Sequence, residues 1–153
     1  MVDLSEVRSA RTVFKALQIL TARKFAGTFR DFTTIDIEST GLDIKRCEIV
    51  EIAAVRVRDG RIVDEFHSLV KPRIPVESGA TMVHTIDDAR VANAPYFEQV
   101  WPAFRDFCGD DILVAHNGED FDFPVIRRMA EGMPGANTMA TYDSMPLAHE
   151  ITP

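Results

Sequence analysis

An Asp-Gly pair, Asp59-Gly60, separates two long apolar runs and constrains the local topology of this chain. Residues 48–58 are rich in Ile, Val and Ala, and residues 61–70 continue the strand pattern. Asp-Gly between two such runs is the strongest short-range signal for a tight β-hairpin. Residues 32–39 add an earlier strand, in which apolar and polar side chains alternate. The sequence therefore predicts a meander of three strands.

The second half of the chain predicts helices alternating with short strands. A short helix is expected at residues 79–83, and a longer one from Pro95 to about Cys108, kinked at Pro102. Residues 112–115 form a brief apolar strand of the kind found in the middle of a sheet. A helix over residues 121–131 and a last short strand over residues 138–142 follow. This order predicts the α/β class.

Length and composition indicate one globular domain. The chain has 153 residues and is 46% hydrophobic, which is enough for one core and too little for two ordinary domains. No run of eighteen apolar residues is present, and charges interrupt the first twenty positions, so we expect a cytoplasmic protein without a membrane partner. Cys47 and Cys108 lack metal-type or redox-type spacing, so both are predicted to be reduced and packed in the core.

The net charge of -7 is unevenly distributed. Residues 1–31 hold six Lys or Arg against three acids, whereas residues 32–153 hold eleven against twenty-one. An acidic body argues against a nonspecific nucleic-acid binder with a broad cationic face, but not against an enzyme whose acids bind metal. We interpret residues 1–31 as an N-terminal helical extension or connector, with an amphipathic helix over residues 3–25. That helix either packs on the domain or links it to a preceding one.

Acidic residues follow two of the predicted strands. Asp36 and Glu38 are two apart on a strand and therefore share a face, where their carboxylates repel each other unless a cation or proton intervenes. A solvated sheet face would also explain this pair. Gly41 gives the strand a tight exit that would let a substrate approach the backbone. Asp122 follows the strand of residues 112–115, and oxygen ligands without a Cys or His cluster favour Mg²⁺ or Mn²⁺ over Zn²⁺.

These residues resemble a known family. Asp36-Ile37-Glu38-Ser39-Thr40-Gly41, together with residues 113–118 and Phe121-Asp122-Phe123-Pro124, is similar to the first two motifs of the DEDD exonucleases of the DEDDh type. That superfamily includes the DNA polymerase III epsilon subunit, ribonuclease T and the three-prime repair exonucleases. Residues 48–55 resemble its second strand, and residues 82–86 its Val-His-Gly-Ile segment, with Thr85 in place of glycine. The resemblance covers residues 32–147.

The resemblance implies a ribonuclease H-like fold, a mixed sheet of about five strands with flanking helices. It also implies hydrolysis of DNA or RNA from single-stranded 3′ ends, assisted by two divalent ions, Mg²⁺ or Mn²⁺. In that case Asp36 would bridge the ions, Glu38 would bind one of them and help to place a water, and Asp122 would ligate from the helix end. The alternative for Asp122 is an acid that only stabilises its helix N-terminus.

The resemblance also suggests residues that meet the substrate. The backbone of Ser39, Thr40, Gly41 and Leu42 would contact the terminal nucleotide, with Leu42 either wedging against a base or packing in its loop. His84 either lies near the substrate or is structural, and Asn117 orients its turn. The charged neighbours are predicted to be solvated, namely Glu119, Asp120, Arg127 and Arg128.

The third motif of the family, a histidine followed five residues later by an aspartate, does not occur in these 153 residues. In the family these residues are the general base and the fourth carboxylate. Residues 142–148 resemble the stretch before that motif, so residues 32–153 are interpreted as an exonuclease-like domain that is C-terminally incomplete. The chain is then a fragment of a longer enzyme with further domains or a polymerase-like partner, an inactive nucleic-acid or nucleotide-binding module, or a subunit completed by a partner. Its own activity is left open.

Overall fold

The structure is a computed structural model that describes residues 30–145. The predicted N-terminal helix over residues 3–25 lies outside this range. Within it, no helix is long and apolar enough to cross a membrane.

A mixed five-stranded sheet forms the centre of the fold, with strand order β3-β2-β1-β4-β5. Strands β1, β2 and β3 pair antiparallel, whereas β4 pairs parallel to β1, and β5 parallel to β4. The sheet and its helices confirm the predicted α/β, ribonuclease H-like class. The strands are β1 (Phe32–Ser39), β2 (Ile49–Arg58), β3 (Arg61–Leu69), β4 (Leu113–Ala115) and β5 (Thr141–Asp143).

The predicted hairpin is confirmed at Asp59-Gly60. Both residues have positive φ, 49° and 72°, which is the backbone of the tight turn that matches the twist of paired strands. Arg58 and Arg61 pair directly across it. The meander therefore forms where the sequence predicts, and its first strand, β1, is the central strand of the five-stranded sheet.

The helices lie where the sequence predicts them, but their bounds differ from the predicted ones. The long predicted helix begins at Phe97 because the backbone N–H of Tyr96 is bonded to the side chain of Gln99, so Pro95 lies before the helix and not in its first turn. The predicted last strand begins three residues late, because residues 136–138 form a 3₁₀ turn. A short helix before Pro95 was not predicted. The helices are α1 (Ser78–His84), α2 (Asp88–Val91), α3 (Phe97–Cys108) and α4 (Asp122–Met129).

The main core lies between the sheet and helices α3 and α4. Ile35 and Ile37 of β1 pack there with Trp101 and Phe104 of α3 and with Phe123 of α4. Side chains alternate along a strand, so Asp36 and Glu38 project from the other face of β1. The core thus fixes which residues of β1 can form a site. Cys47 and Cys108 are buried and free, as predicted.

Candidate active site

The carboxylate of Asp122 is bonded directly to strand β1. Its Oδ2 accepts a hydrogen bond from the backbone N–H of Ile37, at 3.2 Å, although the two residues are 85 positions apart. Ile37 lies between Asp36 and Glu38, so this bond brings the first residue of α4 to the acidic pair. The parallel pairing of β1 with β4 makes this possible, because α4 begins shortly after β4 ends.

The three acids line one cleft of about 610 Å³ at the end of β1. Asp36 and Asp122 are nearly buried, with exposed fractions of 3% and 4%, whereas Glu38 is half-buried. The other described residues of the lining come from the exit of β1, from α1 and its approach, from the turn after β4, and from the end of the described chain: Ile37, Ser39, Gly41, Leu42, Glu77, Gly79, Ala80, Val83, His84, His116, Asn117, Phe121 and Met145.

The chemistry of this lining suits a hard divalent cation. Four carboxylates face the cleft, with Glu77 as the fourth, and the described lining includes no lysine or arginine. Carboxylates this close together repel one another, and a cation bound between them removes that repulsion. Within residues 30–145, however, no three His, Cys, Asp or Glu side chains are already close enough together to hold a metal ion. The cleft therefore has the right donor atoms, and the carboxylates would need to turn toward a bound ion.

The exit of β1 is a loop closed by hydrogen bonds at its neck. The N–H of Thr40 donates to the carbonyl of Glu48 at 2.9 Å, and the N–H of Glu48 donates to Oγ1 of Thr40 at 3.0 Å. Thr40 is therefore buried in this neck and does not line the cleft, unlike Ser39, Gly41 and Leu42. Leu42 is 88% exposed at the cleft, so it is not packed in its loop.

His84 holds the exit of β1 in place. Its Nδ1 lies 3.1 Å from the backbone N–H of Ile86 and must accept from it, so Nε2 carries the proton and donates to the carbonyl of Ser39 at 2.8 Å. Both ring nitrogens have protein partners, which gives this histidine a structural role on the cleft wall. Contact with a substrate through the ring face remains a prediction.

The turn after β4 is held by Asp143 at the end of β5. The two oxygens of its carboxylate accept from the N–H groups of Asn117 and Glu119, at 3.0 and 3.1 Å. Asn117 has a φ of 58°, a left-handed conformation that asparagine tolerates. Asn117 therefore orients the turn, as predicted, and Asp143 anchors it. An aspartate at a strand end is a usual turn stabiliser, but the sequence alone did not show which turn it would serve.

Several residues of the site were missed or misread. Glu77 faces the cleft and lies in no predicted motif, whereas Val83 and His116 lie in segments that resemble the family but were not predicted as site residues. Arg128 was predicted to be solvated, but it donates to two backbone carbonyls of the loop after β1. Contacts of this kind depend on tertiary geometry. Glu119 and Asp120 are exposed, as predicted.

The sheet order and the acidic cleft at the end of its central strand place the chain in the ribonuclease H-like class. The sequence profile of the family described as Exonuclease (RNase_T) matches residues 33–150. The chain belongs to this exonuclease family, which is of the DEDD type.

Curated relatives include replication enzymes. The PolC-type DNA polymerase III of Caldanaerobacter subterraneus subsp. tengcongensis is 36% identical over 137 residues, which is 88% of this chain and 10% of that protein. The DNA polymerase III subunit epsilon of Aquifex aeolicus is 38% identical over 85 residues, covering 56% of this chain and 42% of that one. The chain thus spans about a tenth of the length of the PolC-type relatives.

Solved structures share the fold. Exonuclease X, in complex with 5′ overhanging duplex DNA, superimposes with a TM-score of 0.64 and 36% identity, covering 80% of this chain and 64% of that one. An exonuclease I from Methylocaldum szegediense gives a TM-score of 0.65 at 16% identity, over 78% of this chain and 28% of that one. The second likeness concerns the fold alone.

Proposed function

We propose that this chain is the 3′-5′ exonuclease domain of a longer protein and removes nucleotides from a nucleic-acid 3′ end. The observation that carries the proposal is the bond from the N–H of Ile37 to Asp122, which unites the two acidic motifs in one cleft. Membership of the exonuclease family supports the reaction class.

We propose that Asp36, Glu38 and Asp122 would be the ligands of two Mg²⁺ or Mn²⁺ ions. When bound, such ions lower the pKa of an attacking water and balance the charge of the phosphodiester and the leaving oxygen. Asp36 and Asp122 are nearly buried, so little bulk water competes with an ion for their carboxylates. Glu38 is more open and can help to position a water beside the phosphate.

The substrate end would lie between the exit of β1 and helix α1. Leu42 is 88% exposed and Val83 is 69% exposed, and both face the cleft, which offers apolar contacts to a base. Ser39, Gly41 and Leu42 line the cleft beside it, where their backbone can contact the terminal sugar. We propose a single-stranded 3′ end as substrate, with DNA favoured because the related exonuclease X was solved with DNA.

The similarity to PolC-type polymerases and to an epsilon subunit supports a replication context. We propose that the domain acts next to a DNA polymerase, either in the same polypeptide or as its partner. A pull-down from cells with the full-length gene product, followed by identification of co-purifying polymerase, tests this. Recovery of the intact protein without any polymerase would argue for an independent nuclease.

The activity test uses a single-stranded oligodeoxynucleotide labelled at its 5′ end, incubated with this chain and, in parallel, with the full-length gene product. We expect a ladder of shortened, still labelled products with Mg²⁺ or Mn²⁺ and none with EDTA. Asp36→Asn, Glu38→Gln and Asp122→Asn should each lower the rate at least about a hundredfold. The exposed acids Glu119 and Asp120 provide matched controls, since Glu119→Gln and Asp120→Asn should keep the rate.

A binding module without hydrolysis is the second candidate, because the chain holds no histidine followed five residues later by aspartate. In that case the oligonucleotide binds and stays intact with both proteins, and binding survives Asp36→Ala. An intact substrate with the metal-loaded full-length protein would contradict the exonuclease proposal.

A further inference from the structure

The loop between β1 and β2 is more ordered than its exposure suggests. Beyond the neck formed by Thr40 and Glu48, the carbonyl of Asp43 accepts from the N–H groups of Arg46 and Cys47, at 3.0 and 2.7 Å. The carboxylate of Asp43 also accepts from the N–H of Lys45 at 2.9 Å. Residues 43–47 therefore form a compact turn, and Leu42 lies between this turn and the neck.

Arg128 clamps this turn to helix α4. Its Nε donates to the carbonyl of Ile44 at 2.9 Å, and a terminal nitrogen of the same guanidinium donates to the carbonyl of Cys47. A planar guanidinium presents its N–H groups in a fixed fork that fits both carbonyls, whereas a lysine ammonium is a compact charge on a flexible stem. Next to it, the sulfur of Met129 lies 3.2 Å from the N–H of Ile49, where the loop re-enters the sheet.

Helix α4 is thus attached to β1 at one end and to the loop after β1 at the other. Asp122 accepts from the N–H of Ile37 at the helix start, and Arg128 binds the loop six residues later. The helix connects a carboxylate of the cleft with the loop that carries Leu42. The distance between them is therefore set by a rigid element.

We propose that Arg128 is a positioning residue that fixes Leu42 relative to the carboxylates and so sets the affinity for the terminal base of the substrate. The effect on substrate affinity rests on the proposed exonuclease function. The clamp, which is the attachment of the loop to α4 by Arg128, depends only on contacts within this chain.

The neighbouring arginine is a matched control. Arg127 donates to Oγ1 of Thr141 at 3.1 Å, and its guanidinium lies 5.7 Å from the ring centre of Phe123. It makes none of the described loop contacts that Arg128 makes. Arg127→Ala and Arg128→Ala remove the same side chain from adjacent positions of one helix, and each removes one trypsin site.

Limited trypsin digestion tests the clamp without substrate. Lys45 and Arg46 are exposed trypsin sites inside the clamped turn. Loss of two hydrogen bonds should open this turn more often, so we expect cleavage there to accelerate about fivefold in Arg128→Ala and not in Arg127→Ala. Urea unfolding of both variants separates local opening from global destabilisation. Equal cleavage rates at Lys45 and Arg46 in the two variants would overturn the clamp.

Binding of a 5′-fluorescein oligothymidylate, measured by anisotropy with Ca²⁺ to slow hydrolysis, tests the link to Leu42. Leu42→Ala should weaken binding about tenfold through the lost base contact. Arg128→Ala should weaken it severalfold, Arg128→Lys should not restore it, and the double variant should bind no worse than Leu42→Ala. Additive losses would overturn the positioning role. If neither the unmodified chain nor the full-length gene product binds the oligonucleotide, the proposed function fails, while the trypsin comparison still decides the clamp.

Discussion

At the residue scale, the carboxylate of Asp122 has two structural roles. It lies at the start of helix α4, where the helix dipole stabilises a negative charge, and it accepts a hydrogen bond from the N–H of Ile37 in β1. The sequence motif predicts Asp122 as a metal ligand but could not show the bond to Ile37, because that bond depends on the distance between two elements in the folded sheet.

Asp122→Ala should destabilise the fold by about 1 to 3 kcal/mol, because the buried N–H of Ile37 loses its acceptor. Asp122→Asn removes the charge but keeps an acceptor oxygen. Its free energy of unfolding should therefore stay within about 1 kcal/mol of that of the unmodified chain. Urea unfolding measures both. The exposed Asp120→Ala is the control, and a loss for Asp122→Ala no larger than for this control would contradict the structural role.

The thiol of Cys108 predicts a pH effect on stability. Burial raises its pKa from 9.0 to about 12 in the folded chain. The unfolded chain therefore releases this proton first, and the stabilisation that is present below pH 9 is lost as the pH rises toward 12. At pH 10 the loss is about 1.4 kcal/mol relative to neutral pH.

The unfolding free energy of the unmodified chain and of Cys108→Ala, measured in urea at pH 8 and pH 10, tests this effect. Cys108→Ala should lose less stability between the two pH values by roughly 1 kcal/mol, since the other titrating groups are shared. An identical loss in both proteins would show that Cys108 does not contribute.

At the scale of elements, features that depend on neighbouring residues were predicted better than contacts between residues far apart in the sequence. The hairpin at Asp59-Gly60 and the strand of Asp36 and Glu38 follow from neighbouring residues alone, and their bounds were predicted almost to the residue. The start of β5 was missed because the 3₁₀ turn before it has no strong local signal. The clamp by Arg128 was missed because its acceptors are backbone carbonyls more than eighty positions away.

The turn between β4 and α4 needs a glycine at position 118. A Cβ there would lie 2.6 Å from Cβ of Ala115 and 2.7 Å from the ring of Phe123. Gly118→Ala should therefore cost about 1 to 3 kcal/mol through overpacking. In α1, Gly79 has open space around it, so Gly79→Ala should be neutral or stabilising by up to about 1 kcal/mol. The midpoint temperature of thermal unfolding should fall in Gly118→Ala and stay unchanged or rise in Gly79→Ala. Equal shifts in the two variants would contradict this packing argument.

At the scale of the whole molecule, charge controls how nucleic acid can be held. Residues 32–153 carry eleven Lys or Arg against twenty-one acids, and no lysine or arginine is among the described residues lining the cleft. Under the proposed function, we expect phosphates to be held mainly through bound divalent cations and the backbone. This separates the chain from nucleic-acid binders that rely on a basic groove.

The salt dependence of oligothymidylate binding should therefore be shallow. At constant Ca²⁺, we expect the logarithm of the association constant to fall with the logarithm of NaCl concentration with a slope no steeper than about -2. Anisotropy titrations between 50 and 200 mM salt, roughly the range over which basic binders lose most affinity, provide the measurement. A slope near -4 or steeper would show that several cationic side chains contact phosphate.

The parallel pairing of β1 with β4 has a consequence for the newly made chain. Thr33 pairs with Leu113 and Thr34 with Val114, so this pairing must wait until a long intervening segment has been synthesised. A nascent chain that has formed only the hairpin already contains Asp36 and Glu38 but has neither Asp122 nor the opposite wall of the cleft. The cleft arises when the sheet closes, and a half-made or unfolded chain cannot present it to the nucleic acids around a ribosome.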